Sequence, residues 1–136
     1  MFLFDTDVLS QVLKASPFPG LIARLAVVPS EQQFTSAITV GEMVYGAHRS
    51  PRREHFLQQL EERVWPNVRV LSFDRSAGET YGRLRAELER AGTPLAEPDL
   101  RIAAIALTHD LTLVTGSVRH FAAVPGLRVE NWLAPS

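Results

Sequence analysis

The chain contains no cysteine. Disulfides, thiol nucleophiles and cysteine-ligated zinc are therefore excluded, and the absence agrees with a cytoplasmic location. Lysine is nearly missing too, since Lys14 is the one basic residue of 14 that is not arginine. Net charge is also lacking: 14 basic side chains face 15 acidic ones, leaving a formal charge of −1. No overall field then draws the molecule to nucleic acid, and any such contact must come from a local patch. No apolar run approaches the length of a membrane span, and an acid at position 5 stands where a secretory leader would carry basic residues. The expectation is a soluble intracellular chain that makes no membrane contact. What remains is ordinary globular usage, 46% hydrophobic and 21% charged over 136 residues, enough to bury a real core in one domain spanning 1–136.

The opening stretch, Phe2-Leu3-Phe4-Asp5-Thr6-Asp7, runs three large apolar residues into an acid. Such a run suits a strand buried on both faces of a parallel sheet, with Asp5 at its carboxyl end, where ligands bind in open α/β sheets. An ionised carboxylate buried there needs a cation or a set of donors. A plain helix cap for a helix opening near Val8 is the competing reading of Asp5.

Downstream, Val8, Leu9, Val12 and Leu13 recur at helical spacing, and a second apolar helix covers Leu21 to Val28. Gln33 to Ser36 reads as a strand. Ser36 caps a helix to about Ala47 with the stripe Ala37, Val40, Val44, Ala47 facing the core. Ser50-Pro51 reads as cap and first residue of a helix with Phe56, Leu57, Leu60 and Val64 on its apolar face. Val68 to Phe73 is a third strand, and Asp74 caps a long helix through Tyr81, Leu84 and Leu88 that stops at Gly92. Pro98 opens an almost wholly apolar helix led by Asp99. Thr112 to Thr115 forms a fourth strand, Gly116-Ser117 a turn, and Leu127 to Val129 a fifth strand. Strands alternating with helices imply a parallel sheet covered on both faces.

Three acids stand beside apolar residues: Asp5, Glu42 and Asp99. Gathered at one sheet edge they would repel, and a divalent ion with oxygen ligands, Mg²⁺ or Mn²⁺, removes the conflict. Such ions serve best the attack of an activated water on a phosphodiester. The four histidines share no zinc-like spacing, and no Ser-His-acid set can be argued. Arg49, Arg52 and Arg53 cluster between two helices, where they could hold RNA phosphates or simply be solvated. Thr6, Thr115 and Ser117 are candidates for positioning a water or a phosphate.

Four stretches, Phe4–Ser10, Gly41–Ala47, Pro98–Ala106 and Leu113–Leu127, resemble the signature stretches of PIN-domain ribonucleases, and most of all the VapC-type toxins of bacterial toxin–antitoxin pairs. The resemblance covers the whole chain in the right order. It implies a PIN-like three-layer α/β/α sandwich with a central, mainly parallel sheet of four to five strands. It also implies a metal-dependent endoribonuclease, a homodimer, a small cognate antitoxin, and metal-binding catalytic acids at Asp5, Glu42 and Asp99.

One departure stands out. Where many members carry a fourth acid or an asparagine, this chain has Ser117, which suggests a weaker or single-metal site. Asp7 supplies part of the missing charge or caps the first helix, and the cap is the favoured reading. An antitoxin for such a pocket would present an arginine, with Leu13, Phe18 and Leu21 as the floor of its groove.

Two other readings compete. A degenerate PIN-like protein that binds RNA or a partner without cutting is one, supported by Ser117. A haloacid-dehalogenase-like phosphatase, suggested by Asp5-Thr6-Asp7, is the other, but it lacks the downstream lysine that chemistry requires.

Overall fold

The computed structural model describes residues 1–134. Five strands, β1 (Phe2–Phe4), β2 (Gln33–Ser36), β3 (Arg69–Leu71), β4 (Thr112–Val114) and β5 (Val129–Glu130), form one sheet in the order β3-β2-β1-β4-β5. Every pairing is parallel, with Phe4 opposite both Thr35 and Val114. The expected sandwich is present, and its sheet is wholly parallel. The strands are shorter than the apolar runs suggested; the third loses Val68, Ser72 and Phe73, and the fifth lies at 129–130, not 127–129.

Side chains on successive strand residues point to opposite faces, so the short β1 feeds two cores. Leu3 and Leu113 enter one with Leu84, Ile102, Ile105 and Phe121. Phe4 and Val114 enter the other with Val8, Leu21, Met43, Leu60 and Trp132. The first core is closed by α5 (Arg75–Ala91), α6 (Glu97–Thr108) and α7 (Val118–Phe121). The second is closed by α1 (Thr6–Val12), α2 (Pro19–Val27), α3 (Ala37–Arg49) and α4 (Arg53–Gln59). Each large side chain taken fully out of water contributes about 1.5–3 kcal/mol, which is how strands of two to four residues hold their places.

Local chemistry sets the helix ends. Ser36 Oγ accepts the Thr39 N–H (3.0 Å) and Asp74 Oδ1 the Ala77 N–H (3.0 Å), as the caps of α3 and α5. Helix α5 ends at Gly92, whose φ of 76° lies in the left-handed region that glycine adopts without a Cβ clash.

Four local expectations are corrected. The buried stripe of α3 is Thr39, Met43 and Ala47, while Ala37 is exposed and Val40 and Val44 are half-buried. Residues four apart share a helix face, and the row that α3 turns inward is that of Thr39. Ser50 ends α3 and does not start α4; its hydroxyl accepts the Arg52 N–H at 3.0 Å, and Arg52 leads into α4. Beyond Gln59 the helix widens into a π turn at Leu60–Val64, where Pro66 has no N–H to continue an α-helical register. Leu21 is fully buried in the second core, so it is no groove floor, whereas Leu13 and Phe18 are half-buried. Among the described residues no helix is long and apolar enough to cross a membrane.

The order of connection positions the site. From β1 the chain moves outward through β2 to β3, then returns past β1 to β4 and β5. The winding reverses between β1 and β4, and at such a switch point the carboxyl edge opens a crevice.

Candidate functional site

Asp5 follows β1 and Thr115 follows β4, one on each side of that crevice. The Asp5 N–H still bonds to Val114 O (3.0 Å), so its backbone is locked to the neighbouring strand while its side chain leaves the sheet. Both carboxylate oxygens are held. Oδ1 accepts the Thr6 N–H (2.8 Å), which makes Asp5 the cap of α1, and Oδ2 accepts the Thr115 hydroxyl (2.8 Å). The two readings of Asp5 as cap or site residue thus describe one geometry. The helix it caps opens at Thr6, earlier than expected, and the cap is Asp5 and not Asp7.

Asp5 is only 7% exposed. Burial pushes its carboxyl up to about 6 against the hydrogen bonds from Thr6 and Thr115, and the charges of Asp7 and Asp99 push the same way. Asp99, in the first turn of α6, is also raised, first by burial and then by Asp7, with His120 pulling it back. The three aspartates therefore share one electrostatic neighbourhood although 94 residues separate the first from the last.

Glu42 comes from the exposed side of α3 and touches this group through one bond, the Thr6 hydroxyl donating to its Oε1 at 2.8 Å. Thr6 so links the two carboxylates, its amide on Asp5 and its hydroxyl on Glu42. Thr115 is fully buried, and its hydroxyl, besides donating to Asp5, accepts the Ser117 N–H at 3.0 Å. It serves to orient Asp5. Ser117 is half-buried in the turn that follows.

A groove of about 840 Å³ opens beside Glu42, with Lys14, Arg52, His55 and Arg63 on its polar side and Leu13 and Phe56 among its apolar walls. Of the arginine trio, Arg52 lines it and stacks over Phe56 at 5.6 Å. Arg49 turns away to bond Tyr45 Oη (2.9 Å), and Arg53 pairs with Glu54 at 3.5 Å.

Two participants carried no signal in the sequence. His120, on the four-residue α7, brings Nδ1 to 3.7 Å from Asp99 Oδ2. Gly116 donates its N–H to Asp7 Oδ2 at 2.8 Å, across 109 residues. Neither contact follows from spacing along the chain.

The donors are all hard oxygens, as Mg²⁺ or Mn²⁺ prefers. One of them, Asp7 Oδ1, is buried without a hydrogen-bond partner, a state a cation relieves. Among the described residues no three His, Asp or Glu side chains stand close enough to close around an ion as they are. The donor chemistry fits a divalent ion, which would offset the repulsion among these like charges.

A family model described as PIN domain matches residues 2–127. The chain belongs to the PIN domain family. It is 34% identical to a tRNA(fMet)-specific endonuclease VapC of Salmonella typhimurium over 131 residues, covering 96% of this chain and 97% of that protein. With Toxin FitB of Neisseria gonorrhoeae it shares 31% identity over 137 residues, 97% of this chain and 99% of the other. In three dimensions it matches the crystal structure of FitAcB from Neisseria gonorrhoeae with a TM-score of 0.90 at 30% identity, covering 99% of this chain and all of that one. Membership of this family displaces the phosphatase reading.

Proposed function

We propose that this PIN-domain chain is a divalent-metal-dependent endoribonuclease and the toxin of a toxin–antitoxin pair, with Asp5, Glu42 and Asp99 holding a Mg²⁺ or Mn²⁺ ion. The observation that carries this reading is the gathering of Asp5, Asp7 and Asp99 around the switch point, with Glu42 tied in through Thr6, in a chain similar over nearly its whole length to ribonucleases of this family. When bound, the ion supplies an activated water and offsets charge on the scissile phosphate.

The residues of the chain do the rest. Thr6 and Thr115 fix the Asp5 carboxylate from opposite sides, so binding needs little rearrangement there. With its carboxyl raised to about 6, Asp5 takes up a proton in mildly acid solution, and there the proton competes with the ion. Lys14, Arg52 and Arg63 along the groove supply phosphate contacts for single-stranded or loop RNA, in place of the net positive charge the protein lacks. A small antitoxin presenting arginine to the acidic cluster would silence it, since a guanidinium pairs two carboxylate oxygens and keeps its charge. A homodimer in the cytoplasm completes the reading.

The test is cleavage of a labelled pool of single-stranded RNA by purified protein. Mn²⁺ or Mg²⁺ should restore the activity that a chelator removes, and Asp99→Asn should lose it while staying folded. Full cleavage in chelator, or by Asp99→Asn, would sink the assignment.

A further inference from the structure

The turn after β4 brings no carboxylate to the cluster, because Ser117 occupies it and folds its N–H back onto Thr115 Oγ1 at 3.0 Å. An acid reaches the same place from another element. Asp7, in the first turn of α1, extends across the crevice and accepts the Gly116 N–H with Oδ2 at 2.8 Å. Gly116 is shaped for this approach. A Cβ there would lie 2.7 Å from Asp7 Oδ2 and 3.1 Å from Leu133 Cδ1, so only a residue without a side chain lets the carboxylate settle.

The other oxygen decides the matter. Asp7 Oδ1 is buried and has no hydrogen-bond partner among the described residues. An unpaired carboxylate oxygen taken out of water is expensive, and native structures keep one where an ion or a chemical task repays it. A latch between α1 and the β4 turn needs only the Oδ2 bond, which a neutral asparagine makes equally well. The latch therefore explains one oxygen and leaves the charge and the buried second oxygen unexplained. Asp7 also lies near enough to Asp5 and Asp99 for its charge to act on both.

We propose that Asp7, held by the Gly116 amide, is the fourth carboxylate of this cluster and turns Oδ1 toward the divalent ion, supplying the negative charge that Ser117 does not. This rests on the metal-site reading above.

The test is calorimetric titration of the chelator-stripped full chain with MnCl₂, alongside metal-free thermal unfolding. Asp7→Asn keeps the Gly116 hydrogen bond through its amide oxygen and removes only the charge. Its Mn²⁺ affinity should fall roughly 10- to 100-fold, the range that loss of even an outer-sphere partner produces. Its metal-free unfolding midpoint should hold or rise, because repulsion with Asp5 and Asp99 is relieved. Adding Ser117→Asp to Asp7→Asn should restore affinity. Asp99→Asn run in parallel separates the two readings. If Asp99→Asn abolishes Mn²⁺ binding while Asp7→Asn keeps it, Asp7 is a latch and the inference is overturned with the metal site intact. If Asp99→Asn binds Mn²⁺ normally, the metal-site reading itself falls. Should Asp7→Asn not fold, Gly116→Ala decides: displacing the carboxylate weakens Mn²⁺ binding if Asp7 is a ligand, and unchanged affinity overturns the inference.

Discussion

Two helices on the carboxyl edge of the sheet open with acids two residues apart, Asp5 and Asp7 at α1 and Glu97 and Asp99 at α6. Their surroundings differ sharply. Both members of the first pair face the crevice; Asp5 is held by Thr6 and Thr115, Asp7 by Gly116 with one oxygen left over. The second pair splits. Asp99 stays with the cluster, while Glu97 turns outward to accept the Tyr81 hydroxyl (2.8 and 2.7 Å) and to pair with Arg85 and Arg101, each at 3.4 Å. Those partners hold the Glu97 carboxyl below its usual range, the Tyr81 hydrogen bond most of all, whereas burial raises Asp5 and Asp99. The spacing is shared; the partner set decides which acid fastens helix to helix and which stays in the acidic cluster.

The comparison can be broken by substitution, and the largest effect falls on catalysis. Asp5→Asn should cut RNA cleavage by more than about 100-fold, since loss of an outer-sphere partner alone costs up to about that much in comparable metal sites. Glu97→Gln should leave cleavage at wild-type level. Gel assays at saturating Mn²⁺ read both, and equal losses would mean that the two pairs do not differ in role.

Next comes the pH dependence of stability in chelator. A carboxyl raised from 3.8 to about 6 favours the folded state most while it is protonated in both states. As pH climbs from about 4 to about 6 the unfolded chain gives up its proton first, so this contribution is lost, on the order of 3 kcal/mol for a shift of this size. Urea titrations across that window should show wild-type stability falling relative to Asp5→Asn, with little further change above it. Parallel curves would show that Asp5 is not the buried proton holder.

The smallest effect belongs to the outer pair. Tyr81→Phe removes the hydroxyl that Glu97 accepts and should lower the melting temperature by a few degrees, as expected for one hydrogen bond to a charged group on a half-buried side chain. Mn²⁺ affinity should not move. A fall in affinity would show that the Tyr81–Glu97 contact also sets the position of Asp99.

By itself the sequence determined the parallel α/β plan, because uninterrupted apolar strands alternating with amphipathic helices have few other ways to bury their surfaces. It singled out Asp5, Glu42 and Asp99, each an acid among apolar neighbours, and the caps at Ser36 and Asp74, which depend only on residues three positions on. Rotation of α3 and the end of α4 were less readable, since the face α3 buries is set by packing against the sheet and Pro66 interrupts the α-helical register. Tertiary structure alone decided the partners. Gly116 meets Asp7, Thr115 meets Asp5 and His120 meets Asp99 only because β4 pairs beside β1 at the point where the winding reverses. No local periodicity encodes a contact across 109 residues. The role proposed for Asp7 rests on that contact, because helix capping is a local property and a buried oxygen without a partner is a property of the whole fold.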